Sequence, residues 1–440
     1  MGTENNEINR RKALKIMGLS IASLAVASFK NNAFANNLSE KIANGEISQV
    51  VKRENNKNGD MVSLIGFGCM RFPTNGEGRN APVDVEKVQE LVDYAFAHGI
   101  NYYDTAYVYH GGKSEGIISN ALKKYPRNSY FLADKMPGYY VKEKGEIAKI
   151  FEEQLQRCNT DYFDYYLLHS LQNKPGYDKV YEEFGGYEYL NSEKKRGRIK
   201  QLGFSFHGDR ELWDYVIDLH PWDFVQIQLN YIDWKKDGEY LYKSLEERKI
   251  PCIIMEPLLG GRLASLSASA NKILKDKRPN DSIASWAFRY VGSLPNVLTA
   301  LSGMTYMEHL VDNINTFTDF KKLSVSEKMT LNKAIVEYEK FQRIGCTSCR
   351  YCMPCPFEVE IPTVFETYNK LVMEKSIPSK EDQTAEEFAE KSKKFADTFK
   401  KEFANGGNAT ACVGCGACEP KCPQHLSIPD LMEMIKSNLK

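Results

Sequence analysis

Eight of the eleven cysteines fall in two short runs near the C-terminal end. The first reads Cys346-x2-Cys349-x2-Cys352-x2-Cys355-Pro356, and the second Cys412-x2-Cys415-x2-Cys418-x3-Cys422-Pro423. Disulfides join distant loops, whereas these runs crowd thiols at three-residue spacing, so they read as metal ligands. Tetrahedral four-cysteine zinc is one chemistry open to such sets. Iron–sulfur clusters are the other, and triplets ending in Cys-Pro favour them. The scattered Cys69, Cys158 and Cys252 read as buried, inert thiols.

A second set, Asp104, Tyr109, Lys135 and His169, suits proton and hydride chemistry. Hydride transfer to a carbonyl needs a proton donor at the oxygen, and an ordinary tyrosine, pKa about 10, is a poor one near neutrality. A nearby ammonium favours the phenolate and lowers that pKa, while a carboxylate holds the ammonium in place. A histidine can hydrogen-bond the substrate oxygen. Singly, Asp104 reads as a helix cap, Lys135 as solvated and His169 as a satisfied core residue. Together they carry weight only if the fold gathers them.

The elements that would do so lie between about residues 61 and 319, where short apolar runs alternate with helix-period segments. Strands are expected at 64–70, 101–106, 130–135, 163–169, 199–206, 224–231, 252–257 and 297–302. Amphipathic helices are expected at 85–98, 145–158, 211–219 and 283–291. Eight strands with intervening helices predict an α/β fold, a closed (β/α)8 TIM barrel, with an open doubly wound sheet as the alternative. No G-x-G-x-x-G opens the first unit, which counts against the open sheet. Catalytic residues of such barrels project from the C-terminal ends of strands. Asp104, Tyr109, Lys135 and His169 fall at or just beyond three successive ends.

The run Tyr103-Asp104-Thr105-Ala106-Tyr107-Val108-Tyr109, followed by Gly111-Gly112-Lys113-Ser114-Glu115, resembles the aspartate–tyrosine loop of the aldo/keto reductases. Ala133-Asp134-Lys135 and Leu167-Leu168-His169 are similar to that family's lysine and histidine segments. The likeness extends through Gly203-Phe204-Ser205-Phe206-His207, Gln226 and Pro257-Leu258. It implies an NAD(P)-dependent oxidoreductase with Tyr109 as acid/base, Lys135 tuning it, Asp104 orienting Lys135 and His169 aligning the substrate. Ser205 and Gln226 would hold the nicotinamide carboxamide. Met255 stands where many members stack a tyrosine on that ring. The segment from Ser302 and Gly303 through His309 to Asn313 resembles the adenosine-side loop, without the lysine or arginine that pairs with a 2′-phosphate. NAD and NADP both remain open.

The second cysteine run has the spacing of bacterial ferredoxins, and the first is one residue short before its last cysteine. That resemblance implies two [4Fe-4S] clusters with exchanged fourth ligands. One would take Cys346, Cys349, Cys352 and Cys422, the other Cys412, Cys415, Cys418 and Cys355. Residues 326–440 are thus expected as a small, mainly helical ferredoxin-like dicluster domain after a barrel at 61–325. A charged helix or hairpin arm is expected at 381–403.

At the N-terminal end, Arg10-Arg11-Lys12 precedes an apolar stretch at 16–29 and an Ala33-Phe34-Ala35 site. These are the parts of an export signal over 1–35, similar to the twin-arginine type, with 36–60 as a linker. The stretch is shorter than the roughly 20 residues a membrane span needs, so the processed protein is not expected to be integral to the membrane. The expected location is the periplasm or the outer face of the cytoplasmic membrane. Lysine plus arginine equals aspartate plus glutamate at 58 each, giving no reason to expect nucleic acid as partner. The function expected is interconversion of a small carbonyl and alcohol with a nicotinamide cofactor. Electrons would pass through the two clusters to a redox protein or quinone-linked chain. The alternative is an electron-transfer or redox-sensing subunit with a silent barrel.

Overall fold

The computed structural model describes residues 44–76, 81–341, 343–379 and 383–439. The expected export signal and the start of the expected linker lie outside them. A hairpin of β1 (Lys52–Glu54) and β2 (Met61–Ser63) comes first. Eight strands follow: β3 (Ile65–Gly68), β4 (Tyr102–Asp104), β5 (Phe131–Met136), β6 (Phe163–Leu171), β7 (Ile199–Phe206), β8 (Phe224–Gln228), β9 (Cys252–Met255) and β10 (Val297–Ser302). All eight pair in parallel and close into a barrel in the order β10-β3-β4-β5-β6-β7-β8-β9. The protein is a (β/α)8 TIM barrel with a helical C-terminal module.

The barrel closes because alternate strand residues fill it. Tyr102, Ala133, Tyr165, Leu167, Phe224, Ile253 and Leu301 form one buried interior cluster. Tyr165 stacks edge-on against Tyr102 at 5.1 Å and Phe224 at 5.0 Å. Gly66 lets β3 approach them, since a Cβ there would lie 2.9 Å from Leu301 and 3.2 Å from Tyr102. The outward residues pack under amphipathic helices such as Val85–Ala97, whose buried positions are Val88, Leu91, Val92, Tyr94 and Ala95.

Two expected boundaries move. Residues 52–54, read as linker, form β1, because Asn58-Gly59 turns the chain and Asn55 donates to the buried Tyr165 hydroxyl at 3.0 Å. The hairpin therefore plugs the bottom of the barrel. The helix Val325–Glu339, read as the start of the cluster domain, belongs to the barrel layer. Its Leu331, Ala334, Ile335 and Tyr338 share a core with Leu274, Trp286 and Ala287.

The C-terminal module packs Ile361–Met373, Ala385–Glu402 and Ile428–Ser437 around Val364, Phe365, Phe395, Phe399, Met432 and Ile435. The charged stretch expected as an arm is the helix Ala385–Glu402, begun by a Thr384/Glu387 capping box and held down by Phe395 and Phe399. The module sits over the barrel mouth. Arg71 donates to Thr347 O at 2.6 Å, Gln424 and Gln228 exchange hydrogen bonds at 2.8 and 3.1 Å, and His425 Nε2 lies 2.5 Å from His207 O. Gly260, at φ +68°, underlies Thr347 so closely that a Cβ would lie 2.5 Å from its carbonyl oxygen. Among the described residues no helix is long and apolar enough to cross a membrane.

Candidate active site

Asp104 ends β4, Lys135 lies near the end of β5 and His169 near the end of β6, so parallel neighbours bring all three to one rim. Lys135 Nζ donates to Asp104 Oδ1 and to Thr105 O, each at 2.6 Å, with side-chain exposures of 0% and 4% for the ion pair. Tyr109 opens the turn after β4, and Lys135 Nζ lies 5.1 Å from its ring centre. Its ring meets His169 edge-on at 6.1 Å. The four expected catalytic groups are therefore one constellation.

Electrostatics fix their protonation. Burial, then the Asp104 carboxylate, push the Tyr109 phenol well above its ordinary value. The expected lowering by Lys135 does not prevail, because burial of the phenol dominates and the Asp104 charge adds to it. Burial, then Lys135 and His207, hold His169 far below its ordinary value, so its imidazole is neutral. Burial also raises Asp104, against the pull of Lys135.

A cavity of about 910 Å³ runs from this tetrad outward. It passes Ser205, Gln226 and Met255 and ends at Ser302, Gly303, His309 and Asn313, so every residue expected to touch the nucleotide lines it. Ser205 Oγ accepts from Ser170 N at 2.7 Å, Gln226 donates to Met255 Sδ at 3.5 Å, and Asn313 donates to Ser302 Oγ at 3.0 Å. Gln226 Oε1 is buried without a partner, leaving an acceptor suited to a carboxamide N–H. The residues present fit a nicotinamide dinucleotide.

The cluster cysteines form two sets. Cys346, Cys349 and Cys352 feel the charge of Cys422, and Cys418 feels Cys412, Cys415 and Cys355. Cys352 also feels Cys418, so the sets adjoin. Burial pushes the Cys349 and Cys352 thiols up to about 12. Among the described residues no three metal-binding side chains close on a single ion. Arg262 Nε and Nη1 and Arg343 Nε and Nη2 are buried without acceptors, and the Arg262 charge reaches Cys346. An anionic cluster held by four thiolates, Cys346 among them, would supply what the Arg262 donors lack, so the residues fit. Cys69, Cys158 and Cys252 are buried thiols raised by burial, apart from both sets.

Sequence reasoning passed over Tyr351, which lies between two cluster cysteines and reads as a spacer. Its hydroxyl lies 3.4 Å from His169 Nε2, and Cys349 and Thr347 line the cavity beside it. Arg71 and Glu256, also at the cavity wall, were missed because nothing in their local pattern marks them.

Residues 64–335 match the aldo/keto reductase family and residues 345–426 match the 4Fe-4S dicluster domain. The oxidoreductase YqkF of Bacillus subtilis is 26% identical over 310 residues, covering 62% of this chain and 95% of that protein. L-galactose dehydrogenase of Arabidopsis thaliana is 24% identical over 306 residues, covering 63% of this chain and 91% of that one. The holo form of the aldo-keto reductase AKR11C1 from Bacillus halodurans shares the fold, with a TM-score of 0.54 and 23% identity over 65% of this chain and 96% of that one. A barrel matched across this length, with oxidoreductases among its relatives, settles the assignment: the chain belongs to the aldo/keto reductase family and carries a 4Fe-4S dicluster domain behind its barrel.

Proposed function

We propose that the protein interconverts a small carbonyl and its alcohol at the barrel mouth, with electrons relayed through two iron–sulfur clusters to an outside redox partner. The observation that carries this reading is the buried Lys135–Asp104 pair under Tyr109, with His169 beside it at the inner end of the cavity. A nicotinamide cofactor, when bound, supplies the hydride. Tyr109 supplies the proton at the substrate oxygen, and neutral His169 orients that oxygen. Asp104 keeps Lys135 fixed beneath the phenol. Gln226 Oε1 and Ser205 would face the carboxamide. The likeness to an L-galactose dehydrogenase supports a sugar-like or similarly small substrate.

The relay reading is supported by the order of the parts. Cys349 lines the cavity, the first cysteine set adjoins the second through Cys352 and Cys418, and Cys415 of the second set is exposed. A redox protein or quinone-linked chain would meet that outer set. Because the sequence also carries an export-type N-terminus, the nucleotide would be bound before export and retained. Anaerobic purification from the native compartment, with iron, sulfide and nucleotide assayed on one sample, tests the whole. Eight irons with bound nicotinamide nucleotide support it. Zinc in place of iron, or clusters that never take up nucleotide, move the protein to a purely electron-transferring role. Within a positive sample, Tyr109→Phe is expected to lower turnover by roughly 10²–10⁴-fold with iron content retained.

A further inference from the structure

The proposed reaction needs a substrate oxygen between Tyr109 and His169, and another hydroxyl already lies there. Tyr351 Oη is 3.4 Å from His169 Nε2 and stands close enough to the Tyr109 phenol to influence it. The rings of Tyr351 and His169 meet edge-on at 6.4 Å, much as those of Tyr109 and His169 do at 6.1 Å. The second ring nitrogen of His169 is engaged as well, with the Tyr139 hydroxyl 3.2 Å from Nδ1. Both nitrogens of the substrate-orienting histidine therefore face tyrosines.

Tyr351 does not come from the barrel. It stands between Cys349 and Cys352, next to Arg350 in a left-handed conformation at φ 63°. The loop that carries it is seated on the barrel by the Arg71–Thr347 hydrogen bond and by the backbone contact at Gly260. A phenol oxygen and a carbonyl oxygen are of similar size, and both accept hydrogen bonds. They cannot occupy the same space between the same two partners.

We propose that Tyr351 is a plug contributed by the cluster module: its hydroxyl holds the substrate-oxygen position in the resting protein, and a carbonyl enters only by displacing it. The proposal rests on the roles given to Tyr109 and His169 above. Substrate affinity is then set partly by the cost of breaking the contacts of Tyr351, and the cysteine loop that places this residue controls entry to the barrel.

The test uses the cluster-loaded protein and its Tyr351→Phe variant, with acetate as a probe for the oxygen position and 4-nitrobenzaldehyde as a generic carbonyl. Calorimetric titration is expected to show acetate binding about fivefold more tightly to the variant, the worth of one net hydrogen bond removed from the competitor. The KM for the aldehyde should fall by about the same factor. General damage to the site would weaken both. Equal or weaker acetate binding by the variant overturns the plug. Tighter acetate binding with no aldehyde turnover in either form keeps the plug and sinks the reductase reading. Should the phenylalanine variant lose iron, Tyr351→Met is judged by the same acetate criterion.

Discussion

Lys135 Nζ sits 2.6 Å from Asp104 Oδ1 with both side chains closed to water, and the same ammonium lies 5.1 Å from the Tyr109 ring centre. The tyrosine therefore faces an ion pair instead of a lone cation. Burial first, and the Asp104 charge second, keep Tyr109 a phenol able to give a proton, where a bare lysine would draw it towards phenolate.

Breaking the pair should be costly in the fold as well as in the chemistry. Asp104→Asn leaves a buried ammonium without its counter-charge, and such losses run to about 3–5 kcal/mol. Chemical denaturation of the cluster-loaded protein measures it. A variant as stable as the parent would mean that water or Thr105 O already carries the lysine.

The direction of the Tyr109 shift sets a pH profile. A phenol held above its ordinary value remains protonated as pH rises through neutrality, and His169, held below its own, remains neutral as pH falls. Carbonyl reduction should then be flat between about pH 6 and about pH 9, while alcohol oxidation, which needs a proton acceptor, should rise with pH. A reduction rate that halves with a midpoint near neutrality would contradict these assignments.

The outer end of the cavity bears on nucleotide choice. Glu308 and Asp312 line it beside His309, and the one cationic side chain lining the cavity among the described residues, Arg71, is engaged with Thr347 O. Carboxylates there accept hydrogen bonds from a ribose diol and repel a 2′-phosphate. NADH is expected to bind at least about tenfold more tightly than NADPH, a gap of about 1.4 kcal/mol. Fluorescence titration of both nucleotides decides it, and Asp312→Lys should narrow the ratio.

Arg262 offers a handle on the first cysteine set. Its Nε and Nη1 have no acceptor, and its charge reaches Cys346. A buried cation favours the more negative, reduced state of a neighbouring cluster. Arg262→Gln should shift one of the two midpoint potentials to a more negative value and leave the other in place, read by spectroelectrochemical titration. Two unmoved potentials would place the guanidinium outside the reach of both clusters.

The chemistry was legible in the sequence because it lies at strand ends and in tight spacings. Asp104, Lys135 and His169 each follow an apolar run, and parallel pairing does the rest. What escaped depends on docking. Tyr351 reads as filler between ligands, and only the seating of the module on Gly260 and Arg71 brings it to His169. The helix Val325–Glu339 has an apolar face that either neighbour could have covered, and the barrel covers it. The hairpin was signalled by Asn58-Gly59, but its strands of three residues each are too short for alternation to show.

That same helix carries the last prediction. Glu327 accepts from Arg289 Nη1 and Nη2 at 2.9 and 3.1 Å, from Arg278 Nε, and from Ser324 N at 2.8 Å as part of a capping box. Burial alone would raise its carboxyl, but these hydrogen bonds outweigh that and hold it well below the ordinary range. A group depressed in the folded state adds stability that is present above its unfolded value, about 4.3, and lost as pH falls below it. Glu327→Gln leaves Arg289, itself buried, without its counter-charge and should cost about 3–5 kcal/mol at neutral pH. As pH drops from about 5 to about 3, the parent should lose stability faster than the variant, so that their denaturation midpoints converge. Parallel pH curves would show that Glu327 keeps its charge state on unfolding and that the helix is anchored by its apolar face alone.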